Sequence, residues 1–111
     1  MNQERFACKC CGLLPEGGMD ERLLNMVEAI ENEVGEVEIT SGYRCEAHNA
    51  EVGGVPNSFH VQGVACDMLV PDGYTVDEFA DIVKACGGDG VGRYYDDGFV
   101  HGDVRGYDAA W

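Results

Sequence analysis

The sequence predicts a small α+β fold, an antiparallel sheet of short strands with two main helices. Three observations carry this. Met19 to Val34 places apolar residues at helical spacing, Thr75-Val76-Asp77-Glu78 has the form of a helix-opening capping box, and Gly90 to Tyr95 and Phe99 to Val104 read as strands around a tight turn. At 111 residues the chain is expected to form a single domain over 1–111, long enough for a modest core but too short for two.

In chain order, Leu23, Val27, Ile30 and Val34 line one face of the first helix, with Glu and Asn on the other. Gly35 stands where a helix-ending glycine belongs. Val37-Glu38-Ile39-Thr40 alternates as a short strand, and Glu46 to Val52 suits a short helix closed by Gly53-Gly54. Val55-Pro56-Asn57-Ser58 is read as a loop delivering the chain to His60. Val64 to Val70 is an apolar run broken by Asp67, as in a buried strand, where a lone carboxylate is costly unless paired or bound to a cation. After the capping box, Phe79, Ile82 and Val83 face the core and Cys86-Gly87-Gly88 ends the helix. Asp96-Asp97-Gly98 turns the chain between the last two strands.

Two segments carry chemistry. Ser58 to Asp67 supplies an imidazole and a carboxylate seven residues apart, and Phe99-Val100-His101-Gly102-Asp103 supplies a second imidazole. Two His and one carboxylate form a ligand set that holds Zn²⁺ and leaves a fourth position open for water, which suits a small zinc hydrolase. Alternate strand residues share a face, so His101 and Asp103 would face the ion together. Asp67 comes from a neighbouring strand and His60 from the loop entering it. Gly63 allows a sharp turn between His60 and that strand, and small Ala65 leaves room.

A formal net charge of −14 argues against nucleic acid and anionic membranes as partners. Any substrate carboxylate would need a local cation, and only seven Lys and Arg exist to supply one. No apolar run is long enough to span a bilayer, and Met1-Asn2-Gln3-Glu4-Arg5 lacks the pattern of a signal peptide. Cys8, Cys10 and Cys11 cluster, while Cys45, Cys66 and Cys86 are scattered. Reduced thiols are expected first. A second, structural ion at Cys8, Cys10 and Cys11 would have to borrow a distant ligand such as Cys45, Cys66 or Cys86.

The pattern Ser58-x-His60-x-x-Gly63-x-Ala65-x-Asp67, followed by Phe99-Val100-His101-x-Asp103, resembles the zinc D-Ala-D-Ala carboxypeptidases and phage endolysin peptidases of the M15 type. Ser41-Gly42-Tyr43-Arg44, His48-Asn49-x-x-Val52-Gly53-Gly54 and Gly90-Val91-Gly92-Arg93-Tyr94 extend the likeness, which runs from about residue 39 to 105. It implies the fold shared by these peptidases and hedgehog domains, with His60, Asp67 and His101 as ligands of one catalytic zinc. It also implies a general base three residues before the last His ligand, where this chain has Gly98. Asp103 is then the first candidate to accept the water's proton and Asp97 the second. The competing role for Asp103 is to orient His101. Arg44 is placed to grip a substrate carboxylate or polarise the scissile carbonyl, and Ser58 to donate to substrate or brace the His60 loop. His48 reads as a structural helix residue.

The expected activity is hydrolysis of peptidoglycan stem peptides, either trimming a terminal D-Ala or cutting a link that contains a D-amino acid. A phage or prophage enzyme, monomeric, made in the cytoplasm and reaching the wall by a route other than its own signal, fits that expectation. The alternative is a non-catalytic zinc module of the same fold that binds a ligand or partner, which Gly98 keeps open. A redox or metal-sensing protein built on the Cys cluster ranks third, because no βαβ context surrounds it.

Overall fold

A computed structural model describes residues 3–53 and 58–111; Gly54 and the proposed loop residues Val55, Pro56 and Asn57 lie outside the described residues, as do Met1 and Asn2. The described chain forms a 3-10 turn at Gln3–Phe6, helices α1 (Glu21–Val34), α2 (Glu46–Glu51) and α3 (Val76–Ala85), and strands β1 (Ile39–Ser41), β2 (Ala65–Leu69), β3 (Gly90–Tyr94), β4 (Phe99–Asp103) and β5 (Ala109–Ala110). The strands make one sheet in the order β1-β2-β4-β3-β5. Three of its pairings are antiparallel and that of β3 with β5 is parallel, so the α+β class holds with a mixed rather than purely antiparallel sheet.

Helix ends follow local chemistry. The Asp20 carboxylate accepts from the Arg22 N–H at 2.8 Å, which starts α1 at Glu21, two residues later than the apolar spacing suggests. At α3 both halves of the capping box form, Glu78 N to Thr75 Oγ1 at 3.1 Å and Thr75 N to Glu78 Oε1 at 2.9 Å.

The period-2 alternation of β2 and β4 divides the sheet into two chemically distinct faces. Cys66, Met68, Val100 and Val91 point into the core, where they meet Leu23, Met26, Val27 and Ile30 of α1 and Phe79, Ala80 and Val83 of α3. The intervening residues Asp67, His101 and Asp103 face the other way. Residues directly opposite in an antiparallel pair share a face. Asp67 is paired with His101, and His101 with Gly92; one step along, Ala65 is paired with Asp103, and Asp103 with Gly90. Two polar rows therefore lie side by side on one face of a sheet whose other face is apolar. Among the described residues no helix is long and apolar enough to cross a membrane.

One carboxylate helps to fasten the N-terminal segment to this core. Glu31 takes a two-pronged ion pair from Arg5, at 2.9 Å on each oxygen, and the Val37 N–H at 2.9 Å. Partial burial pushes the Glu31 carboxyl up, but Arg5 and the Val37 N–H outweigh it and hold its pKa below the usual value. A depressed folded pKa means that this stabilisation is present above the unfolded value, about 4.3, and is lost as pH falls through the folded one. Glu31→Gln should therefore cost about 2 kcal/mol at pH 7, and urea denaturation should show the difference from wild type shrinking below about pH 4.

Candidate functional site

His60, Asp67 and His101 converge on the polar face of the sheet. Asp67 and His101 stand opposite each other on β2 and β4, so their proximity follows from register alone. His60 arrives from outside the sheet. A turn spans Ser58 to Gly63, with the Ser58 carbonyl accepting from Val61 N at 3.0 Å and the buried Ser58 Oγ accepting from His60 N at 3.2 Å. Gly63 ends the turn at φ 74°, a left-handed conformation that a side chain would strain. A Cβ there would also meet Pro15 Cγ at 2.9 Å.

Nitrogen, carboxylate and nitrogen ligand atoms of the three residues all lie within 4.8 Å of one another, and all three residues are buried. His60 Nδ1 is 2.8 Å from the Gly42 carbonyl oxygen, which can only accept. Nδ1 therefore carries the proton, and the lone pair sits on Nε2, 3.4 Å from Asp67 Oδ1. His101 presents Nδ1 to the same oxygen at 3.0 Å and Nε2 to Asp103 Oδ2 at 2.7 Å. Two imidazole nitrogens and a carboxylate oxygen around one point fit a zinc ion with an open fourth position. Burial pushes the Asp67 carboxyl up, but His101 and His60 more than compensate and hold it well below the usual carboxylate range.

Asp103 is fully buried beneath this layer. Besides His101 it accepts from Gly90 N and Arg105 N, each at 3.1 Å, from Arg105 Nε at 2.9 Å and from Arg105 Nη2 at 2.7 Å. Burial opposes the charge, but His101 and Arg105 prevail and hold this carboxyl too far below its ordinary range. Glycine at position 90 is a steric requirement of the arrangement, since a Cβ there would overlap the Asp103 carboxylate. The Arg105 guanidinium in turn lies over the Phe59 ring at 4.3 Å and the Trp111 ring at 5.0 Å.

The cleft above the three ligands has a volume of about 570 Å³. Its walls are aromatic (Phe59, Tyr94, Phe99 and Trp111) and cationic (Arg44 and Arg105). Asp67 is the one carboxylate among the described lining residues. Arg44 is held by Ser41 Oγ at 3.2 Å and Asn49 Oδ1 at 3.4 Å, and its Nη2 lies 3.6 Å from Asp67 Oδ2. Two of only seven cations in a strongly acidic chain thus border one cleft. Asp97 is exposed in the turn between β3 and β4 and lies outside the lining of the cleft. His48 sits on α2, its Nδ1 3.9 Å from Glu51 Oε2.

Arg105 and Trp111 escaped the sequence reading. For Arg105 a signal existed, since His101, Asp103 and Arg105 continue one period-2 alternation. Trp111 gave none. Parallel pairing of β5 with β3, including Arg93 N to Trp111 O at 2.8 Å, brings its indole within 5.0 Å of the His101 ring.

Comparison with curated proteins finds no match to this chain. The sequence profile of the family described as Peptidase M15 matches residues 3–103, which takes in all three ligand candidates, Asp103, Arg44 and the N-terminal cysteines. A match over nearly the whole length, on a fold whose sheet register gathers the residues that the motifs single out, has one reading: the chain belongs to the peptidase M15 family.

Proposed function

We propose that this protein is a zinc-dependent peptidase that hydrolyses peptidoglycan stem peptides, with His60 Nε2, Asp67 and His101 Nδ1 as the zinc ligands. The convergence of those three donors within 4.8 Å, in a cleft with Arg44 on its wall, carries the reading. M15 peptidases are zinc-dependent. When bound, zinc supplies a water of lowered pKa and a Lewis acid for the scissile carbonyl.

The chain's own residues supply the rest. The Gly42 carbonyl fixes the His60 tautomer that offers Nε2, and Asp103 holds His101 by Nε2 so that Nδ1 is the free donor. Asp103 is fully buried and already accepts from His101, Arg105 and Gly90, which supports an orienting role over that of proton acceptor. Ser58 braces the His60 turn through the His60 N–H. Arg44 is placed to receive a substrate carboxylate, and the aromatic walls to hold the apolar parts of the peptide.

A carboxylate-gripping Arg44 predicts a split in the kinetics. Arg44→Ala should raise KM about 10-fold or more for stem peptides ending in a free D-Ala carboxylate and retain the zinc. Amidated or cross-linked substrates should be nearly indifferent to the substitution. Mass spectrometry of the products then names the bond: loss of one Ala marks a carboxypeptidase, and opening of a cross-link an endopeptidase. Equal effects of Arg44→Ala on all these substrates would remove its assigned role.

One observation favours a second reading, a zinc module that binds without cleaving. With Gly98 in the turn and Asp103 engaged by Arg105, Asp67 is the one carboxylate on the described lining of the cleft, and it is assigned to the ion. Tight binding of stem peptides by the zinc-loaded protein without any product would establish that module.

A further inference from the structure

A second donor cluster lies outside the sheet-face site, where the N-terminal segment meets the loop after β1. The sulfurs of Cys8, Cys11 and Cys45 all lie within 4.8 Å of one another, with Cys8 Sγ 3.7 Å from Cys45 Sγ. Two local turns present them, Cys8-x-x-Cys11 and Cys45-x-x-His48. Paired turns of this spacing are the usual way a chain offers four ligands to a tetrahedral ion.

Backbone N–H groups hold two of these sulfurs in place. Cys8 Sγ accepts the Cys45 N–H at 3.4 Å. Cys45 caps α2, its sulfur accepting the His48 N–H at 3.4 Å. Three sulfurs gathered this closely can serve together as ligands of one tetrahedral ion.

We propose that Cys8, Cys11 and Cys45 hold a structural zinc ion, separate from the ion on the sheet face, with Cys10 or His48 as the fourth ligand. Cys10 Sγ and the His48 ring lie within 4.8 Å of each other, and the Cys10 thiol interacts with that of Cys45, which makes these two the candidates for the fourth position. The site stands whether or not the sheet-face cleft is a peptidase.

Such an ion would cross-link the N-terminal segment and the loop after β1. Tyr43 N donates to Phe6 O at 2.7 Å, and Phe6 is fully buried in the core. The clamped loop contains Gly42, whose carbonyl fixes His60, and Arg44, which precedes Cys45 and borders the cleft. The second zinc would thereby position the wall of the first site without touching it.

The test counts zinc in protein purified under reducing conditions and loaded with zinc alone. Native mass spectrometry should find two ions in wild type, one in Cys11→Ser, one in His101→Ala, and none in the double variant. Cys11 is exposed, so its replacement leaves the core intact. Zinc-edge X-ray absorption on unmutated protein gives an independent readout, with zinc–sulfur distances of about 2.3 Å beside shorter zinc–nitrogen and zinc–oxygen ones. Loss of the ion in Cys10→Ser or in His48→Ala identifies the fourth ligand and supports the site. One zinc in wild type with no sulfur in its shell would overturn the proposal. So would a Cys8–Cys45 disulfide in the reductant-purified protein, seen as a mass two hydrogens lighter.

Discussion

His101→Ala is expected to lose the sheet-face zinc and to lower kcat/KM by about 10³-fold or more. The size follows from what is removed. A Lewis acid and activated water are together worth several kcal/mol of transition-state stabilisation, and each 1.36 kcal/mol is a factor of ten. His101 is also the hinge of the local network, since its two nitrogens bridge Asp67 and Asp103. Alanine there leaves the Asp67 and Asp103 carboxylates without that imidazole, although Arg105 still covers Asp103. Dialysis against limiting zinc followed by metal analysis reads the first effect, and a stem-peptide assay reads the second. His101→Ala that kept both the sheet-face ion and the turnover would remove His101 from the ligand set.

Asp103→Asn is expected to weaken sheet-face zinc binding 10- to 100-fold and to cost about 3 kcal/mol of stability. The carboxylate is the sole anion described as meeting Arg105, and it is fully buried. An amide of the same shape cannot neutralise that guanidinium, and its NH₂ group would face a donor. With Asp103 as an orienting residue, excess zinc should restore most of the turnover, because the substitution acts through ion affinity. A proton-accepting Asp103 would show the reverse, full zinc occupancy with turnover lost. Asp97→Asn provides the control: Asp97 is exposed and outside the cleft, so turnover and zinc should both stay near wild type.

Long-range pairing separates what was legible in the sequence from what was not. Helices α1 and α3 could be read because an apolar stripe and a capping box are local signals, and the structure holds both. Strands β2 and β4 were legible from their apolar runs, Asp67 from the cost of a lone carboxylate in such a run, and His60 and His101 from the ligand set that they complete with it. Strand β5 was illegible, since two alanines carry no periodicity and their pairing with β3 is set from outside. Trp111 was missed for the same reason. The partner of the N-terminal cysteines was left open among Cys45, Cys66 and Cys86. Period-2 logic could have excluded Cys66, which alternates with Asp67 and points into the core. Choosing Cys45 over Cys86 required the approach of two loops, which no local pattern encodes.

The proposed action of this chain on wall stem peptides depends on zinc held by His60, Asp67 and His101. Incubation of purified peptidoglycan fragments with zinc-loaded protein and with chelated protein, read by mass spectrometry, tests it most directly. The expected result is a hydrolysed product, a lost D-Ala or an opened cross-link, that vanishes with the chelator and returns with added zinc. Protein shown to carry the sheet-face ion that yields no product across several wall chemistries would contradict it.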